Sequence, residues 1–288
     1  MKPPVFAYRD PRSLPETLSL LAEHGSDASI LAGGQSLIPL LNLRLARPEV
    51  VIDINRVPGL DGVDITPRAI RVGALARVRS LEGSAPIRGA APALSAALGS
   101  IAHPQIRSRT TIGGNISHAD PSSELPGLLA AYDGRIELTT SSGQRWVGWD
   151  DFFLSVFTTS REPDELVTAV EFPCADGFRY DFEEIARRPG DYPLSAVCAG
   201  VATSGSTVTG ARLAAVAIAD RPVRLREAEA SLVGASLTDA TAIREVARTA
   251  AREIDPVDDD HGSAAYRRGI VRTLVERTLT RLASGGAS

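Results

Sequence analysis

The chain has 288 residues, of which 43% are hydrophobic and 23% are charged, a composition typical of globular proteins. Its length allows about two domains, and the sequence contains no apolar run near the ~18 residues of a membrane span. Its 31 basic and 35 acidic residues give a net charge of -4, so it lacks the basic excess that nucleic-acid binding requires. The two cysteines, Cys174 and Cys198, cannot supply a four-cysteine iron–sulfur cluster, and the four scattered histidines show no metal-ligand spacing, so no metal site is predicted.

The first 55 residues predict a small α/β unit. No charged and then apolar leader pattern opens the chain, so we expect a cytoplasmic protein. A capping box from Ser13 to Glu16 predicts a helix over 13–24 that ends at Gly25. The elements predicted after it are a strand over 28–31, a turn at Gly33 and Gly34, a helix over 36–45 and a strand over 50–54.

Residues 56–175 predict a second subdomain of mixed helices and strands. The predicted elements are two short strands within 60–72, an interrupted helix over 79–97, a glycine-rich turn over 113–117, a helix over 121–131, and strands over 135–139, 144–149 and 166–172. A proline at 173 and the Ala-Asp-Gly stretch that ends at Gly177 predict the end of this domain at residue 175.

Residues 176–288 predict a separate C-terminal domain. Three apolar or alternating segments, 178–188, 196–203 and 207–219, indicate an antiparallel three-stranded sheet. Helices are predicted over 224–233, 239–251 and 263–283. The sequence therefore predicts an α+β protein with one domain over 1–175, divided into subdomains 1–55 and 56–175, and a second domain over 176–288.

Two segments, Ile30–Leu37 and Thr110–Ser117, each place a pair of glycines and a small polar residue after an apolar run. Glycine pairs let backbone N–H groups approach an anion without an intervening Cβ, so the two segments together suit the phosphates of a dinucleotide. Taken alone, either pair is more simply a tight turn or a helix start. Neither fits the G-x-G-x-x-G pattern or the phosphate loop that ends in lysine.

The wider sequence around these segments resembles the FAD-binding medium subunit of the molybdenum hydroxylases, the family of xanthine dehydrogenase and carbon monoxide dehydrogenase. The segments that carry the resemblance are Ala32–Leu37, Leu43–Arg44, Asp53–Ile54, Thr111–Asn115, His118–Pro121, Glu124–Pro126, Ala186–Tyr192 and Asp260–Arg268. It covers nearly the whole chain. It implies a two-subdomain FAD domain of the vanillyl-alcohol oxidase (PCMH) type, followed by a C-terminal domain with a three-stranded antiparallel sheet and helices, in agreement with the division above.

The resemblance also implies the cofactor, FAD, and its contacts. The loops Ala32–Ser36 and Thr111–Asn115 would wrap the pyrophosphate, and Val167 would lie beside the flavin ring. Glu124 stands where the family has an acidic residue near the cofactor, and Tyr192 where an aromatic residue can cover the ring. The full expected set is Ile30, Leu31, Ala32, Gly33, Gly34, Gln35, Ser36, Leu37, Thr110, Thr111, Gly113, Gly114, Asn115, Asp120, Glu124, Val167 and Tyr192.

By the same resemblance, the chain would be the electron-transferring subunit of a heterotrimer and would hold no catalytic residue of its own. A large molybdopterin subunit would hydroxylate the substrate, and a small subunit with two [2Fe–2S] clusters would pass electrons to FAD here. The electrons would leave to NAD, a quinone, dioxygen or another acceptor. Gln35 replaces a histidine that the carbon monoxide enzymes tend to have, which favours an N-heteroaromatic substrate.

Two other functions stay open from the sequence. A self-sufficient FAD reductase or oxidase of the same fold would need an acid beside the flavin N5, and the sequence identifies none. A scaffold that has lost FAD is the other alternative, against which the intact glycine pairs argue. The role of His118, at the flavin edge or as a local hydrogen-bonding group, is equally open.

Overall fold

The computed structural model describes residues 2–175 and 177–285. The predicted domain boundary falls at Asp176, outside the described residues, as do the last three residues of the predicted C-terminal domain. None of the helices in the described ranges combines the length and the apolar character needed to cross a membrane.

A three-stranded parallel sheet forms the first part of the chain. Its elements are β1 (Ala7–Arg9), α1 (Leu14–His24), β2 (Ala28–Leu31), α2 (Leu37–Asn42) and β3 (Val50–Asp53). The central strand is β3, the most apolar of the three, and its Ile52 is buried with Leu18 and Leu21 of α1. The Ser13 half of the predicted capping box is confirmed, since the Ser13 hydroxyl accepts the N–H of Glu16 at 3.3 Å, whereas the Glu16 carboxylate accepts the N–H of Arg12 at 2.8 Å and not that of Ser13.

A five-stranded antiparallel sheet in the order β4-β5-β10-β6-β7 organises the second part. Its elements are β4 (Val63–Ile65), β5 (Ala69–Gly73), α3 (Val78–Glu82), α4 (Ala85–Ala90), α5 (Pro92–Ser100), α6 (Pro104–Arg107), α7 (Ile112–His118), α8 (Glu124–Tyr132), β6 (Arg135–Thr140), β7 (Gly143–Gly148), α9 (Trp149–Phe152), β8 (Phe153–Ser155), β9 (Thr158–Thr159) and β10 (Leu166–Pro173). The helix predicted over 79–97 is three short helices, because Pro86 and Pro92 fit only the first turn of a helix.

The C-terminal part is an antiparallel sheet covered by helices. It consists of β11 (Phe178–Ala186), β12 (Pro193–Ser204), β13 (Thr207–Val216), β14 (Val223–Arg224), α10 (Arg226–Leu232), α11 (Ala240–Glu253) and α12 (Ala264–Ala283). The three predicted strands are β11, β12 and β13, and the two-residue β14 joins the edge. Both faces of β12 are buried: Cys198 lies in the core shared with the second part, and Val197 in the core beneath the helices. The chain is therefore an α+β protein, as predicted.

A buried arginine ties helix α8 to the C-terminal sheet. Arg224 on β14 donates to the carbonyl of Ala130 at 3.0 Å, to Glu229 at 2.9 Å and to Asp133 at 2.5 Å. Asp133 follows the last turn of α8, and Arg212 of β13 pairs with it at 3.0 Å. These bonds fix the direction of α8, whose first residue enters the cleft described next.

Candidate functional site

A cleft of about 510 Å³ opens between the first and second parts of the chain, and the loop at 190–192 borders it. Sixteen of the seventeen residues expected at a cofactor line this cleft; the exception is Leu31. Its side chain instead packs under the turn, 3.2 Å from where a Cβ on Gly34 would lie.

The first glycine pair packs tightly against the second loop. A Cβ on Gly33 would lie 2.4 Å from the carbonyl oxygen of Arg109, so no larger residue fits without moving backbone. Gly34 has φ +76°, a left-handed conformation that favours glycine. The glycines therefore let the chain turn between β2 and α2 while it touches the segment before Thr110.

Backbone donors of the first loop are left free. Asn55 donates to the carbonyl of Ala32 at 2.8 Å, and Gln35 to that of Gly33 at 3.0 Å, so these carbonyls are occupied. The backbone N–H groups of residues 33–36 have no hydrogen-bond acceptor within the described residues, 2–175 and 177–285. Free amides that line a cleft form a concavity suited to an anion.

The second glycine pair begins helix α7, where the sequence predicted a turn; that prediction was wrong. The Thr111 hydroxyl caps the helix by accepting the N–H of Gly114 at 3.2 Å, and Gly113 donates to the carbonyl of Ala74 at 2.9 Å. A Cβ on Gly113 would lie 2.4 Å from the Cβ of Ala74. Because the N–H groups of both glycines are already bonded, this pair cannot donate to a ligand. Its role is to let helix α7 pack closely on Ala74, whereas the first pair offers free N–H donors.

Acidic side chains gather where helix α8 begins. Glu124 is buried, and burial, together with the charges of Glu184 and Asp120, raises its pKa to about 8. Burial likewise raises the pKa of Glu184 to about 7, and within the described chain its Oε2 has no hydrogen-bond partner. Asn115 is tied to this end of α8 through the hydroxyl of Ser123, at 2.8 Å. The cleft thus holds a carboxyl group that is largely protonated near neutral pH.

The other two expected residues lie at opposite depths. Val167 is buried on β10, where a register shift between Val167 and Ala169 interrupts the pairing with β6. Tyr192 is 65% exposed and borders the cleft together with Gly190 and Asp191. One residue is therefore placed for contact with the floor of the cleft and the other for its rim.

Sequence reasoning missed part of the lining. Ile101, Ala102 and Ile106 come from the α5–α6 region, and no local motif marks them. Arg161 also lines the cleft, but its guanidinium donates to backbone carbonyls, that of Glu165 at 2.8 Å among them. His118 faces the cleft with its ring 4.8 Å from the ring of Phe157, and burial lowers its pKa.

Two family profiles match nearly the entire chain. The FAD binding domain in molybdopterin dehydrogenase matches residues 4–175, and the CO dehydrogenase flavoprotein C-terminal domain matches residues 180–282.

Individual relatives match over nearly their full length. The 6-hydroxypseudooxynicotine dehydrogenase complex subunit alpha of Paenarthrobacter nicotinovorans is 41% identical, over 98% of this chain and 95% of that one. The carbon monoxide dehydrogenase medium chain of Hydrogenophaga pseudoflava is 35% identical over 97% of each chain. In the crystal structure of quinoline 2-oxidoreductase from Pseudomonas putida 86, a chain that is 33% identical superposes with a TM-score of 0.94, over 100% of both chains.

Proposed function

We propose a function that starts from family membership: this chain belongs to the FAD-binding medium subunits of the molybdenum hydroxylases. It is an oxidoreductase subunit, and the cofactor of its family is FAD.

The first glycine loop fits the pyrophosphate of FAD. The observation that carries this assignment is the set of free N–H groups over 33–36. They begin at Gly33, where a Cβ would collide with the backbone of Arg109. Backbone N–H groups would stabilise the phosphate charges there by hydrogen bonding, without a lysine or arginine. The segment from Thr110 to Asn115 would close the opposite side, and Ile30 and Leu37 would border the loop. Leu31 lies outside the cleft, so we assign it to packing alone.

The remaining residues would hold the rest of the cofactor. Asp120 and Glu124 would bond its hydroxyl groups, because carboxyl oxygens accept from hydroxyls and the protonated carboxyl group of Glu124 can also donate. Val167 would pack against the flavin ring from the floor of the cleft. Tyr192, at the rim, would cover the ring and limit access of water.

We propose that the chain works as the middle carrier of a heterotrimer. When bound, FAD supplies the chemistry of accepting electrons one or two at a time and releasing them. The partners would be a large molybdopterin subunit and a small subunit with two [2Fe–2S] clusters. The acceptor would be NAD, a quinone, dioxygen or another oxidant that reaches the rim at Tyr192. We also propose that the chain divides into two domains at 175/176, with the loops that hold FAD in the first domain.

For the whole complex we propose an N-heteroaromatic substrate. The sequence feature behind this choice is Gln35, whose amide donates to the carbonyl of Gly33 at 3.0 Å. The similar quinoline 2-oxidoreductase is named for an N-heteroaromatic compound. Hydroxylation of quinoline-type compounds by the purified complex, with no turnover of carbon monoxide, is the expected result, and the reverse would overturn this choice.

Flavin analysis of the purified full chain tests the central proposal. We expect FAD, at about one per chain, and copurification with a molybdopterin subunit and an iron–sulfur subunit from the native host. A chain that carries no flavin, and whose absorbance and melting temperature do not change when FAD is added, would refute the proposal. Reduction of a small substrate by the isolated chain with NADPH would favour a self-sufficient reductase.

A further inference from the structure

Behind the two glycine loops, two side chains outside the cleft lining connect one loop to the other. We propose that Arg77 and Asn55, together called the rear bridge, are positioning residues that fix the distance between the loops, so that both meet one dinucleotide. This inference rests on the proposed binding of FAD. It concerns residues that act through the loops and have no contact with the ligand.

Asn55 holds the first loop from behind. It follows β3, and its amide donates to the carbonyl of Ala32 at 2.8 Å and to the carboxylate of Asp53 at 2.6 Å. Asp53 also accepts the backbone N–H of Asn55 at 2.9 Å and the hydroxyl of Tyr8 at 2.6 Å. With its amide directed in this way, Asn55 presents its Oδ1 to the second part of the chain.

Arg77 reaches both loops at once. Its guanidinium donates to Oδ1 of Asn55 at 2.5 Å and also to the carbonyl of Arg109, just before the second loop. The same carbonyl is the group that a Cβ on Gly33 would strike. The bridge therefore spans the contact where the two loops touch, and it bonds one side through Asn55 and the other directly.

The backbone around Arg77 is joined to the second loop as well. Val78 donates to the carbonyl of Thr110 at 3.0 Å, and Ile112 donates to that of Ala76 at 3.0 Å. The second loop thus moves with the segment that carries Arg77. Through Asn55, the guanidinium couples this unit to the first loop.

A fixed spacing matters because the two loops do different work. The first loop offers free N–H groups, and the second closes against them through glycines without free donors. A ligand that spans both loops would bind best if their separation is set before it arrives, because the loops then lose less conformational entropy on binding. A single phosphate can rest on the first loop alone and needs the bridge less.

The test compares FAD with FMN, which has one phosphate, on the flavin-free full chain. Arg77→Gln and Asn55→Ala should each weaken FAD binding by about tenfold or more, since a charge-assisted bond is lost, and FMN binding by less than about threefold. The double variant should bind FAD no more weakly than either single variant, because the two side chains act as one unit. Arg56→Gln is the matched control: Arg56 is an exposed neighbour that pairs with Asp10 at 3.3 Å.

The outcomes separate this inference from the proposed function. A parent chain that binds no FAD refutes both. A parent that binds FAD, together with variants that match it or lose FAD and FMN equally, refutes the bridge alone, as does an additive double variant. If Arg77→Gln fails to fold, Asn55→Ala and Arg77→Lys provide the same comparison, and Arg77→Lys should recover part of the FAD affinity.

Discussion

Gly33→Ala should separate the two glycine loops. The added Cβ would lie 2.4 Å from the carbonyl oxygen of Arg109 and 3.1 Å from its carbon, whereas ordinary contacts begin at 3.4 Å. The loops must therefore move apart by about 1 Å. The clash is with backbone that Arg77 also bonds, so a side-chain rotation cannot relieve it.

The expected cost follows from that displacement. Overpacking of this kind lowers the free energy of unfolding by about 1–3 kcal/mol. A ligand held by both loops should lose affinity by a similar free energy, which corresponds to roughly 5- to 150-fold in the dissociation constant of FAD.

Two measurements on the flavin-free full chain check this prediction: urea unfolding and titration with FAD, followed by flavin fluorescence. Gly62→Ala is the matched control, because a Cβ there would meet nothing within 4 Å. We expect that control to stay within about 0.5 kcal/mol of the parent. If Gly33→Ala binds FAD within a factor of two of the parent and unfolds at the same urea concentration, the close contact between the loops does not exist in solution.

Three further predictions concern stability, each measured by urea unfolding without FAD. Burial raises the pKa of Glu184 to about 7, so the contribution of its protonated form to stability is complete below about pH 4.5 and is lost as the pH rises through 7. Glu184→Gln should remove this loss, which is at most about 1.4 kcal/mol of unfolding free energy per pH unit. Glu49→Gln, at an exposed position, should leave the dependence of stability on pH unchanged. Arg224→Ala should lower the free energy of unfolding by about 3–5 kcal/mol, because the buried Glu229 would lose its nearest cation, against less than about 0.5 kcal/mol for the exposed Arg226→Ala. Thr111→Val should cost about 1 kcal/mol through the lost cap of α7, and an unchanged unfolding curve would contradict that role.

The parts of the site that were predictable rest on local chemistry. The glycine pair at 33–34 is recognisable because a turn against other backbone needs glycine at those positions, whatever the rest of the fold. Leu31, which the resemblance implies as a flank of the first loop, lies outside the cleft lining, because its side chain packs against Gly34. The helix over Ile112–His118 was missed because a glycine pair favours a turn, and the cap from Thr111 together with packing on Ala74 outweighs that preference.

Long-range contacts explain the rest of what was missed. Ile101 and Ile106 line the cleft only because α5 and α6 fold beside it, and a single sequence has no periodicity that reports this. Arg77 gives no local sign of its bonds to Asn55 and to the backbone of Arg109, residues 22 and 32 positions away. Pairings of this kind depend on how two subdomains meet, and that information lies in tertiary packing.

The lack of a basic excess, which excludes nucleic-acid binding, also limits how this cleft could hold phosphates. Of the described residues that line it, Arg161 is the one fixed cation, and Nη1 of its guanidinium already donates to the backbone carbonyls of Glu162 and Glu165. Nearby, Glu124 is held largely neutral by burial, which removes a negative charge that would repel the ligand. Anion binding then depends on the orientation of the amides over 33–36, and orientation depends on the backbone. A loop whose function rests on dipoles needs its carbonyls held from behind, which is what Gln35 and Asn55 do.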